Sequence, residues 1–92
     1  MVFIMNDSFE LLVNNTLKRV VDSIKKHENR IVAPLSIQLL TQVKKELEQM
    51  IIIMNPRVFM PNYPRFILDW PDEDGLIEEL INIAYQYKKI KI

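Results

Sequence analysis

The chain has 92 residues, with 12 Lys plus Arg balanced by 12 Asp plus Glu, and no cysteine. That length fits one small domain over residues 1–92 and leaves no room for two. Zero net charge lacks the basic excess of a nucleic-acid-coating domain, and the missing thiols exclude disulfides, thiolate metal sites and cysteine nucleophiles.

Small secreted domains usually rely on such staples, so a reducing, cytoplasmic compartment is the expectation. The apolar runs Met1–Met5 and Met50–Met54 are far shorter than the ~18 residues of a membrane span, and neither reads as a signal peptide. Abundant Ile, Lys and Asn beside a single glycine point to an AT-rich, bacterial or viral genome. One glycine also cannot build a phosphate-cradling loop, so nucleotide chemistry is not expected.

The first helix is predicted from about Asp7 to Glu28. Asp7 suits an N-cap, with Glu10 three residues on. Phe9, Leu12, Val13, Thr16, Leu17, Val20, Val21 and Ile24 recur at helical spacing on one side, with charged residues opposite. His27 falls at the C-terminal end of that apolar face, where an imidazole complements the helix dipole.

The second helix is predicted from about Leu35 to Met54, with Pro34 at an early position and Asn55-Pro56 as the stop. Leu39, Leu40, Val43, Leu47, Met50, Ile51 and Met54 form its stripe. Ile52 and Ile53 then make the last turn apolar all round, so either the next segment or a partner must cover it. Lys18, Arg19, Lys25, Lys26, Arg30, Lys44 and Lys45 alternate with Glu10, Asp22, Glu28, Glu46 and Glu48, the pattern of a solvated mixed-charge face.

Residues 57–70 contain Pro61 and Pro64, which no continuous helix tolerates. Val58-Phe59-Met60 and Arg65-Phe66-Ile67-Leu68 read as short extended runs around a Pro61–Pro64 turn, a hairpin or irregular lid over the second helix. Phe59, Tyr63, Phe66 and Trp70 concentrate aromatic surface there.

The third helix is predicted from about Asp72 to Lys89, acidic at its start and basic at its end. Its apolar residues, Ile81 and Tyr87 among them, cover half its circumference, enough for two neighbours or a second subunit. Asp69–Gly75 fails as a calcium loop, because Trp70 and Ile81 occupy positions that need carboxylates. No metal, cofactor or catalytic constellation emerges.

The expected fold is therefore mainly α: three helices with a proline-rich extended or β-hairpin segment between the second and third, the alternative being α+β. The expected function is a non-catalytic protein-interaction module, a homo-oligomer or an accessory or regulatory subunit. Its partner would be a protein or a second copy, neither nucleic acid nor membrane. Candidate contact residues are Ile52, Ile53, Phe59, Tyr63, Phe66, Trp70, Ile81 and Tyr85. Two alternatives are a nucleic-acid-binding regulator using the first two helices and a small enzyme using His27 with the Asp69–Asp74 carboxylates.

Overall fold

In a computed structural model the described residues are 2–30, 35–72 and 75–90, with side chains described from residue 8 onward. They form four helices and no strand: α1 (Val2–Glu28), α2 (Ile37–Ile53), α3 (Pro64–Ile67) and α4 (Leu76–Lys88). The mainly helical expectation holds, while the paired hairpin does not.

α1 begins at Val2, not Asp7, so Asp7 lies inside the helix and does not cap it. No proline or glycine interrupts residues 2–8, and an internal Asp costs a helix only a fraction of a kcal/mol. Its 27 residues run about 40 Å at 1.5 Å per residue. That length sets the longest extent of the molecule, 44 Å against 22 and 19 Å.

α2 starts two residues later than the sequence suggests. The Ser36 hydroxyl accepts from the Leu39 N–H at 3.2 Å and caps the helix. Leu35, just before it, is buried with φ at 66°, a left-handed conformation that branched side chains adopt at a cost. His27 Nε2 donates to the Leu35 carbonyl at 2.7 Å and helps hold it there. The predicted role of Pro34 lies outside the described residues. Met54 ends α2 with φ at 48°, its N–H returning to the Met50 carbonyl.

α1 is the central helix, packing against both α2 and α4, while α3 packs on α4. Val13 and Val20 of α1 meet Leu40, Val43, Leu47 and Met50 of α2 and Leu76, Leu80, Ile83 and Tyr87 of α4 in one fully buried cluster. Burying each large aliphatic contributes about 1.5–3 kcal/mol against solvent. Phe9 stacks on Tyr87 with ring centroids 6.1 Å apart. The broad apolar side of α4 is therefore largely consumed within the chain.

One polar tie crosses this core. Thr16, fully buried, donates its hydroxyl to Glu79 Oε1, and Arg19 Nη1 lies 2.5 Å from Glu79 Oε2. Thr16 belongs to the inward face of α1, yet its hydroxyl makes α4's register specific.

Arg65-Phe66-Ile67 forms a turn of helix where a strand was expected, with Leu68 still in helical geometry. Pro64 explains the difference. Its fixed φ and missing N–H suit a first helical position and would interrupt a ladder. The amides that a neighbouring strand would have satisfied find a side chain instead. Glu46 Oε1 accepts from the Asn62 and Tyr63 N–H groups at 2.7 and 2.8 Å.

Candidate interaction surface

Residues 54–70 form a strap that leaves α2, turns, and returns over α4. Asn55 builds the first bend. Its side-chain oxygen accepts from the Arg57 N–H at 2.9 Å, and its carbonyl accepts from Val58 and Phe59. Two phenols fix the rest of the strap: Tyr87 donates its hydroxyl to the Phe59 carbonyl at 2.7 Å, and Tyr63 donates to the Leu80 carbonyl at 2.8 Å. With the Glu46 carboxylate, these bonds hold the strap at three points.

Glu46 is 9% exposed, and its second oxygen accepts from Gln42 at 3.2 Å. The sequence places it among solvated charges, and the structure moves it to the interior. Its spacing carries the signal: Val43, Glu46 and Met50 follow i, i+3, i+7, so Glu46 falls within the buried stripe of α2. Burial and the nearby Glu46 charge together push the Tyr63 phenol well above its ordinary value. Burial also raises Tyr87.

The strap's polar backbone is turned inward while much of its apolar side-chain surface faces out. Ile52 is 74% exposed, Val58 71% and Leu68 65%, and Met60, Phe66 and Trp70 are each more than two-fifths exposed. Helical geometry explains the α3 portion. Tyr63 and Ile67, four residues apart, both point into the core, which leaves Arg65, Phe66, Leu68 and Asp69 on the outer side.

Of the eight candidate contact residues, Ile52, Phe66, Trp70 and Tyr85 are exposed. Ile53 is half-buried, and Phe59 and Ile81 are half-buried against the core cluster. Tyr63 is fully buried and offers a partner no surface, because its ring and hydroxyl anchor the strap. Tyr85 stands apart on α4, where the Lys89 ammonium lies 4.1 Å from its ring centroid and lowers the phenol's pKa. Val58, Met60 and Leu68 join the surface although the sequence does not single them out. Leu68 is obscured because a strand reading gives residues 65–68 a period of two, whereas the chain there follows the helical period.

Of the groups considered for chemistry, His27 and Asp72 have structural partners, His27 at the Leu35 carbonyl. Both Asp72 oxygens accept from α4, Oδ1 from Ile77 N–H and Oδ2 from Glu78 N–H, each at 3.1 Å, across a left-handed Gly75. Asp72 thus acts as a helix cap. Glu73 and Asp74 lie outside the described residues. Among the described residues, no three His, Asp or Glu side chains gather where they could hold a metal ion. A furrow beside Leu11, Asn14, Lys18 and Val21 is lined by α1 alone. One helix face cannot enclose a small ligand, so this is open surface. No helix among the described residues is long and apolar enough to cross a membrane.

Compared with models of known families, with curated proteins and with solved structures, the chain matches none of them.

Proposed function

We propose that the protein is a non-catalytic interaction module, acting in the cytoplasm of a bacterial or viral system, and that it docks through the outer side of the strap and the adjoining end of α2. One observation carries this reading. Large apolar side chains from Ile52 to Trp70 face solvent on a backbone pinned from beneath by Glu46, Tyr63 and Tyr87. A segment held this firmly, with its side chains still outward, is preorganised for binding and loses little freedom when a partner arrives. Apolar side chains left exposed on such an ordered segment are what a docking partner would cover.

The test is affinity capture from the organism of origin, with the I52S/L68S double variant as control. The expected result is a protein retained by the wild-type chain, or self-association of the chain, that the double variant loses. Equal behaviour of the two chains would refute the reading. Binding driven by this surface should also survive added salt, unlike binding to phosphate backbones.

A further inference from the structure

We infer that the strap is the resident occupant of a peptide-binding groove between α2 and α4, and that a partner's helical segment of the same chemistry displaces it. The groove lies beneath the strap, so this inference is independent of the outer surface proposed above.

α2 and α4 both pack on α1, with little close approach between their own backbones. Two strap side chains fill the space this leaves. Tyr63 and Ile67 are fully buried in the same cluster as Val43 and Met50 of α2 and Leu80 and Ile83 of α4. Polar groups that enter with them find partners on both walls. One Glu46 oxygen on α2 accepts from the Asn62 and Tyr63 N–H groups, and the Leu80 carbonyl on α4 accepts from the Tyr63 hydroxyl.

These contacts define a ligand. It is a turn of helix that opens with a tyrosine, carries an aliphatic residue four positions later and brings two backbone amides to an anion. The carboxylate complements the amides whatever their side chains, so the groove reads main chain at one end and two side chains beyond it.

The strap is also displaceable. α3 has four residues, far fewer than the ~12 at which an isolated helix becomes marginal in water. Most of the large apolar side chains around it face solvent, so they do not resist its lifting. A partner segment that makes the same bonds restores everything the groove loses on opening. A second copy gains less, because its own strap must first leave an identical groove. The tethered strap acts as an intramolecular competitor that the partner must displace.

The test is binding of a labelled, end-blocked peptide of residues 58–71 to the full chain, read by fluorescence anisotropy for wild type, Y63F and E46A. Y63F removes one bond from the resident strap and none from the peptide, so it should bind the peptide about 5-fold more tightly than wild type. E46A loosens the strap too, but it also removes the acceptor the peptide needs. It should therefore bind no more tightly than wild type. Excess peptide added to the wild type should speed hydrogen exchange at Asn62 and Tyr63 while α1 and α2 stay protected. Should either variant lose the wild-type helical circular dichroism, this exchange measurement decides.

A peptide that does not bind Y63F would overturn the inference. So would equal tightening in E46A and Y63F, since Glu46 would then have no part in recognition. A peptide that binds while Asn62 and Tyr63 stay protected would sit outside the groove and overturn it too, leaving the outer-surface reading intact. Wild-type chain that competes for Y63F as well as unlabelled peptide does would put a second copy in the groove and overturn the partner assignment.

Discussion

The interior between α1, α2 and α4 and the strap over residues 54–70 are stabilised in different ways. In the interior, side chains carry the energy: Val13, Val20, Leu40, Val43, Leu47 and Ile83 are fully buried, and the backbone satisfies itself within helices. In the strap, Tyr63 and Ile67 are buried, and hydrogen bonds to and from α2 and α4 add a second kind of anchor. Two of its amides reach Glu46, the Phe59 carbonyl accepts from Tyr87, and the Tyr63 hydroxyl donates to the Leu80 carbonyl, while Val58, Met60, Phe66, Leu68 and Trp70 look outward. The contrast teaches that a region can be fixed in place without contributing most of its apolar surface to the core. That surface is then left over for a partner.

Core truncation sets the upper end of the scale. Leu40→Ala should cost about 3 kcal/mol, read from denaturant unfolding, because it opens a cavity at the α1–α2 contact. Glu46→Ala should cost about 2–3 kcal/mol, since two strap amides lose their acceptor together. Glu46→Gln, which keeps one acceptor oxygen, should lose about half of that. The comparison is sharpened by native-state hydrogen exchange. In Glu46→Ala, protection should fall at Asn62 and Tyr63 while α1 and α2 stay protected. Uniform loss across all helices would show that strap and interior are one cooperative unit.

Tyr63→Phe should cost about 1 kcal/mol near neutral pH by removing the hydroxyl's bond to the Leu80 carbonyl. Its effect should change with alkali. The folded phenol's pKa is raised above the ordinary value of 10.0, so above pH 10.0 the unfolded chain binds fewer protons than the folded one. The contribution is present in full below that pH and is lost progressively as pH rises above it. Unfolding titrations should therefore show a shallower alkaline decline in Tyr63→Phe than in wild type. Parallel declines would mean that the Tyr63 phenol is not buried.

The smallest effect runs the other way. Arg30 is exposed and holds φ at 61° after the end of α1, so Arg30→Gly should stabilise the chain by about 0.5–1 kcal/mol by removing left-handed strain. A destabilised Arg30→Gly would contradict that backbone geometry.

The long helices are legible because periodicity and stop signals agree in them: the α1 stripe from Phe9 to Ile24, and the Asn55-Pro56 stop. The first turns of α1 escape notice because Asp7 resembles a cap yet costs little inside a helix. α3 reads as a strand because four residues are too few to separate a period of two from one of 3.6. Glu46 is hidden for a different reason. A carboxylate reads as surface in any composition-based scheme, and the amides it serves lie 16 and 17 residues away at Asn62 and Tyr63. The outward aromatics Phe66 and Trp70 are legible because apolar surplus is visible in composition. Tyr63 is misplaced among them because an aromatic ring says nothing of which way it points.

That Ile52 and Leu68 serve a partner and not the fold is tested most directly by unfolding wild type and the I52S/L68S variant in denaturant across a hundredfold range of protein concentration. Binding partners stabilise by mass action, whereas core contacts act at every dilution. The expected result is that the two midpoints agree at the dilute end, and that any rise with concentration is confined to the wild type. A variant less stable by the same amount at every concentration would place these side chains in the service of the fold and contradict the docking role.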